Sequence, residues 1–293
     1  MRTYLDCIPC FFRQVLEASS LAGADEKKRK KALDEFAKII PGFSLRMTPA
    51  EMGRYIYRVV SKATNKSDPY YEMKKKSTER ALALYPMIKK KIASSPDPLR
   101  KAVEFAILGN IIDYGVKNKL NVDEELKKIM GNRNSRANNK FFHYKEFKEQ
   151  LKKTKEILYL ADNAGETVFD RVLIEEIKRI YPDKNIIYAV KSRPIINDAV
   201  MEDALDAEIN KVAEILPCGS DAPGTVLSLC TKKFLKIFEK SDFIISKGQG
   251  NFEAPNELKR PIFFLFRAKC EVVANHVGCK LGSVVLLYTL KNL

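Results

Sequence analysis

Residues 157–166 read Ile-Leu-Tyr-Leu-Ala-Asp-Asn-Ala-Gly-Glu, five apolar residues followed at once by a turn carrying two carboxylates and an amide. The apolar run is too short for a helix and lacks the in-out alternation of a half-exposed strand. It reads as a strand covered on both faces. Four similar runs follow: Ile186-Ile-Tyr-Ala-Val190, Phe243-Ile-Ile245, Ile262-Phe-Phe-Leu-Phe266 and Val284-Val-Leu-Leu287. Helical stretches over 167–180 and 226–240 supply the cover. The pattern implies an α/β fold, a three-layer doubly wound sheet domain over residues 153–293. Ligands of such folds bind beyond the carboxyl ends of the strands, so the residues directly after each run carry the chemistry.

Outward from that core, residues 1–152 read as an all-helical region. Apolar residues recur at helical spacing, as in Cys10, Phe11, Val15 and Ala18, and again in Ala102, Phe105, Ala106, Gly109 and Ile112. Thr48-Pro49-Ala50-Glu51 has the cap, the first-turn proline and the acidic residue of a helix start. Ser67-Asp68-Pro69 and Ser95-Pro96-Asp97-Pro98 repeat the idea. The breaker-rich stretch 132–138 is expected to be a loop near the junction between the two halves.

The 293 residues, 45% of them hydrophobic, can bury one large core or two modest ones. No apolar run reaches the roughly 18 residues of a membrane helix, and the first residues lack a signal-peptide pattern, so a cytoplasmic chain with no membrane partner is expected. Abundant Lys and Glu with scarce Gln and no Trp resemble the usage of proteins from very hot habitats. The net charge of +15 is uneven: residues 1–150 hold 31 Lys and Arg against 18 Asp and Glu, a balance of +13, and residues 151–293 hold 21 against 19, a balance of +2. Runs such as Lys27 to Lys31, Lys74 to Lys76 and Lys89 to Lys91 fit solvated helix faces; the alternative is a surface for anionic substrates or nucleic acid.

At the first strand end, Asp162, Asn163 and Glu166 offer hard oxygen donors of the kind Mg²⁺ or Mn²⁺ prefers. Helix capping by Asn163 with Glu166 closing a capping box would explain two of them and leave Asp162 over. The second run leads to Lys191-Ser-Arg193-Pro-Ile-Ile-Asn197-Asp198, where Asp198 either completes a metal site or caps a helix. After the third comes Ser246-Lys247-Gly248-Gln249-Gly250-Asn251-Phe252-Glu253, a lysine in a glycine-rich turn that suits a phosphate, or a plain surface turn. Neither the Walker loop nor the Gly-x-Gly-x-x-Gly fingerprint is present. Asp221-Ala-Pro223-Gly224-Thr225 is a further tight turn.

Together these segments resemble the damage-control phosphatases, a family long catalogued as a domain of unknown function and also called acidic-residue methyltransferase-like. The resemblance rests on Cys7-x-x-Cys10, Gly109-Asn110-x-x-Asp113, Asp162-Asn163-Ala-Gly165-Glu166, Pro194-x-x-Asn197-Asp198-Ala199 and Lys247-Gly-Gln-Gly-Asn251-Phe-Glu253, in order along the chain. It implies a helical region packed on a three-layer α/β domain and a divalent metal, Mn, Mg, Co or Ni, held by Asp162, Asn163 and Asp198. It also implies Asn110 and Asp113 in the same cleft, and Lys247 on the substrate phosphate, with Gly248, Glu166, Arg193 and the turn around Gly224 shaping the pocket. The activity it implies is a metal-dependent phosphomonoesterase for small phosphate esters, sugar phosphates or damaged phosphometabolites.

Position 164 is Ala164, so the Asp-x-Asp motif of haloacid-dehalogenase phosphatases is absent, and metal-activated water is favoured over an aspartyl phosphate. Cys7 and Cys10 are structural, a redox pair or part of a second metal site; the other four cysteines, His143 and His276 carry no ligand spacing. Two competing readings are an S-adenosylmethionine-dependent carboxyl methyltransferase, which this chain would have to be without a glycine fingerprint, and a nucleic-acid-binding module, which leaves the acidic strand ends unexplained.

Overall fold

The computed structural model describes residues 1–109, 140–254 and 260–291. Five helices open the chain: α1 Cys7–Leu21, α2 Glu26–Ala37, α3 Pro49–Thr64, α4 Tyr71–Ala93 and α5 Pro98–Leu108. Their starts obey the local chemistry. Thr48 and Glu51 close a reciprocal capping box, and Asp97 accepts from the Arg100 amide with Pro98 in the first turn. Helix α6 (Tyr144–Lys153) leads into an alternation of strands and helices: β1 Glu156–Leu160, α7 Thr167–Ile180, β2 Asn185–Val190, α8 Met201–Asp206, β3 Glu214–Pro217, α9 Lys232–Lys240, β4 Ile244–Lys247, α10 Gly248–Glu253, β5 Ile262–Arg267, α11 Glu271–Val277 and β6 Val284–Tyr288.

The six strands form one sheet in the order β3-β2-β1-β4-β5-β6, parallel except for β6, which runs antiparallel to β5. Strand side chains alternate between two cores. Ile157, Tyr159, Tyr188, Ile245, Phe263 and Leu286 point to the face covered by α6 and α7, and helices α4 and α5 pack into that same cluster. Leu158, Leu160, Ile244, Phe264 and Val285 point to the other, under α9, α10 and α11. On the first face Phe147 of α6 wedges edge-on against Phe243 and Phe263, with ring centroids 5.3 and 5.2 Å away. A third cluster binds α1, α2 and α3 together and includes Ile195, which follows β2.

The expected strands are present, each shifted by no more than about two residues. β3 was missing from the sequence reading because Glu214 and Pro217 flank only Ile215 and Leu216, a sheet-edge segment with too little apolar signal. The helix expected over 226–240 begins at Lys232, where Thr231 accepts from the Phe234 amide; Leu227–Leu229 form a separate tight turn. The basic runs meet solvent along α2, where Lys30 pairs with Asp34 at 2.6 Å, whereas Lys74 is buried between Asp68 and Asp203. Among the described residues, no helix is long and apolar enough to cross a membrane.

Candidate active site

Strand order reverses at β1, which has β2 on one side and β4 on the other. A crevice opens at such a switch point, beyond the carboxyl ends of the two parallel strands. Asp162 and Asn163 follow β1 there. They are held by the chain that returns after β2: the Ala199 amide donates to Asp162 O at 2.7 Å, the Ala164 amide to Asn197 O at 2.8 Å, and Asn163 and Asp198 pair across a short bridge. The return needs a sharp turn, made by Ile196 at φ +45, a left-handed conformation that costs a β-branched residue strain. Three sequence-expected ligands are thereby brought side by side.

None of them caps a helix. Asn163 precedes the 3-10 turn Ala164–Glu166 and makes no side-chain cap bond to it; its Nδ2 donates to Asp162 Oδ2 at 3.0 Å and to Glu166 Oε1 at 2.6 Å. Asp198 precedes the α8 cap by two residues and instead faces Lys191 Nζ at 3.6 Å and the Gly224 amide at 3.4 Å. Gly224 lies at φ +73, and a Cβ there would collide with the Gly250 carbonyl, so only glycine brings that amide to Asp198. The same holds for Gly248 at φ +80, whose missing Cβ leaves room for the Asp162 carboxylate.

Behind this edge lies a dry box of charge. Lys247 is fully buried and donates to Glu166 Oε2 at 2.9 Å and Asp170 Oδ1 at 2.6 Å. Asp170 also accepts from the hydroxyls of Tyr159 at 2.7 Å and Tyr188 at 2.8 Å. Burial works against the Lys247 charge, but Asp170 and Glu166 outweigh it and hold its pKa above the usual lysine range. Burial, with repulsion from Glu166 and Asp198, pushes the Asp162 carboxyl well above the usual carboxylate range; burial also raises Asp198, against the pull of Lys191. Asn251 locks the box to the strands, donating to Ala161 O at 2.8 Å and Lys247 O at 2.7 Å.

In front of the edge is a cavity of about 350 Å³. Asp162, Asn163 and Asp198 form part of its wall, with Gln249, Glu253 and Lys269 beside them and Cys7, Cys10, Phe11, Ala50 and Tyr70 of the helical region opposite. Of the residues singled out from sequence, Lys247, Gly248, Glu166, Gly224 and Arg193 are not in the cavity's lining; Arg193 is exposed on the turn after β2, whose Ile196 and Asn197 do line it. Two buried carboxylates, Glu166 and Asp170, hold the Lys247 ammonium, and Lys247 is not among the residues that line this cavity. Asn110 and Asp113 lie outside the described residues. Cys7 and Cys10 are free thiols, and burial raises the Cys7 pKa, which makes it a poorer nucleophile.

Sequence reasoning missed Lys269 and Asp170, and quoted Glu253 in a motif without giving it a role. Lys269 stands two residues beyond β5 and is the cavity's lysine. Its position just after the apolar run Ile262 to Phe266, at the carboxyl end of a strand, is the signal that marks it.

The damage-control phosphatase ARMT1-like domain model matches residues 3–285. This chain belongs to that family. It is 33% identical over 290 residues to a damage-control phosphatase of Pyrococcus horikoshii, covering 98% of both chains, and 34% identical over 282 residues to one of Archaeoglobus fulgidus, covering 95% of this chain and 96% of that one. An uncharacterized protein of Methanocaldococcus jannaschii is 36% identical over 291 residues, 96% of this chain and 94% of the relative. The crystal structure of a domain-of-unknown-function-89 family protein from P. horikoshii superposes with a TM-score of 0.89 at 33% identity, over 99% of each chain. For this family member, then, the resemblance carried by five short motifs extends to the whole fold.

Proposed function

We propose that this chain is a metal-dependent phosphomonoesterase that hydrolyses small phosphate esters, sugar phosphates or damaged phosphometabolites. One observation carries the reading: a small cavity at the sheet's switch point has buried acid on its floor and a lysine on its rim. Family membership and relatives named damage-control phosphatases support it.

The residues fit a divalent cation. Asp162, Asn163 and Asp198 are two carboxylates and an amide, hard donors suited to Mn, Mg, Co or Ni. Among the described residues no three His, Cys, Asp or Glu side chains gather as a metal site; the set proposed here is two carboxylates and one amide. The buried groups around it, Asp162, Glu166, Asp170 and Asp198 against Lys191 and Lys247, sum to a charge of −2 when ionised, the deficit one divalent ion offsets. When bound, the ion would supply Lewis-acid polarisation of a phosphoryl oxygen.

The chain's own side chains do the rest. Lys269 neutralises the phosphoryl oxygens from the rim. Glu166 orients Asn163, Lys191 and the Gly224 amide orient Asp198, and Lys247 keeps Glu166 in place. A cavity of about 350 Å³ admits one small ester, and Phe11 and Tyr70 offer apolar walls to its organic part.

The test is phosphate release from an ester panel by chelator-stripped protein, with Mn²⁺, Mg²⁺, Co²⁺ or Ni²⁺ added in turn. Turnover is expected only with metal, and Asp162→Ala is expected to abolish it. Folded wild-type protein that releases no phosphate with any metal refutes the reading.

A further inference from the structure

Water attacking an alkyl phosphate leaves one problem unsolved by a metal and a lysine. The departing alkoxide is a strong base and leaves slowly unless a proton reaches its oxygen as the bond breaks. The cavity wall holds a carboxyl group in the right place for this. Glu253 ends α10, the helix whose first residue, Gly248, lies against the Asp162 carboxylate. Glu253 lies five positions further on, about 7.5 Å along a helix axis, so one short helix carries the cavity wall from the acidic edge at Asp162 to the Glu253 carboxyl.

The Glu253 side chain is fixed there. Gln249 Nε2 donates to Glu253 Oε1 at 2.9 Å, while Gln249 Oε1 accepts from the Lys269 amide at 2.9 Å, so one amide ties Glu253 to the turn that carries the rim lysine. We propose that Glu253 is the general acid that protonates the leaving-group oxygen, an inference that rests on the phosphatase reading above. The ester P–O bond breaks with its electron pair on the departing oxygen, which takes the Glu253 proton. Water forms the new P–O bond and releases a proton to solvent, from which Glu253 is reprotonated.

Burial pushes the Glu253 pKa up to about 7, so the acid form needed for this step persists to neutral pH. The groups that face it are accounted for: the Gln249 amide, the Met1 ammonium, which donates to Glu253 O at 3.1 Å, and Lys269 all pull the pKa down, and burial outweighs them. Cys7 interacts with Glu253, and Glu253 helps raise the Cys7 pKa. Glu17, an exposed acid of the cavity, is ten residues beyond Cys7 on α1, about 15 Å along that helix, and so belongs to the outer wall.

The experiment compares p-nitrophenyl phosphate, whose phenolate leaves without a proton, with glycerol 1-phosphate, whose alkoxide does not. Wild type, Glu253→Gln and Glu253→Asp are assayed at saturating Mn²⁺, with melting curves to confirm folding. The expected result is a kcat loss of about 100-fold on glycerol 1-phosphate and under about 3-fold on p-nitrophenyl phosphate for Glu253→Gln, with partial recovery in Glu253→Asp. Wild-type kcat on the alkyl ester should fall as pH rises through about 7, where Glu253 loses its proton, and that limb should vanish in Glu253→Gln. Equal losses on both esters, or none on either, overturn the assignment while leaving the phosphatase reading intact. If Glu253→Gln does not fold, an unchanged ratio of the two esters in folded Glu253→Asp overturns it. A wild type inactive on both esters removes the phosphatase reading and this inference with it.

Discussion

Two charged regions meet at the ends of β1 and β4, and they use lysine in opposite ways. Behind the edge, Lys247 is fully enclosed, fixed by two carboxylates and, through Asp170, by two tyrosine hydroxyls. In front, Lys269 stands exposed on the rim of a cavity whose wall is otherwise rich in acid, with Asp162, Asp198 and Glu253. A buried charge is costly to move and holds its neighbours in one geometry; an exposed one can exchange water for a substrate oxygen at little cost. The first region is a closed, paired floor; under the proposed function the second is where an anionic ester would meet the protein.

The sharpest way to break this comparison is Lys247→Met, which leaves Glu166 and Asp170 buried without their shared cation. Stability is expected to fall by about 3–5 kcal/mol, read from urea or thermal unfolding. A variant that melts with wild type would mean that the box is not rigid. Lys269→Ala should do the reverse, lowering kcat/KM for a phosphate ester by about 100-fold and changing stability by less than about 0.5 kcal/mol. Loss of stability without loss of activity would exchange the roles of the two lysines. The smallest effect is expected at Arg193, exposed and absent from the cavity's lining: Arg193→Ala should leave turnover unchanged and stability within about 0.5 kcal/mol. A tenfold fall in kcat/KM there would return the turn after β2 to the site.

The two lysines also show how far a sequence can be read. Lys247 sits in a glycine-rich turn at a strand end, and local pattern rightly marks it as special. What it touches depends on Glu166 and Asp170, which lie 81 and 77 residues earlier in the chain. Lys269 carries no pattern at all, since Arg267-Ala268-Lys269-Cys270 resembles any polar turn. Its meaning comes from standing next to β4 across the sheet. Glu166 was similarly ambiguous between capping and site; its side chain makes no cap bond and contacts Asn163 and Lys247 instead.

By itself the sequence determined the layout, because it is written in short-range signals. Uniform apolar runs mark doubly covered strands, Thr48 and Asp97 mark helix starts, and acids directly after β1 and β2 mark the sheet edge that faces the cavity. Only the tertiary structure decided which charges are spent on each other and which face the cavity. Strand order, the strained return at Ile196 and the close approaches allowed by Gly224 and Gly248 set those distances. Coulomb energy depends on distance and on exclusion of water, and neither quantity is encoded in the residues next to a charge.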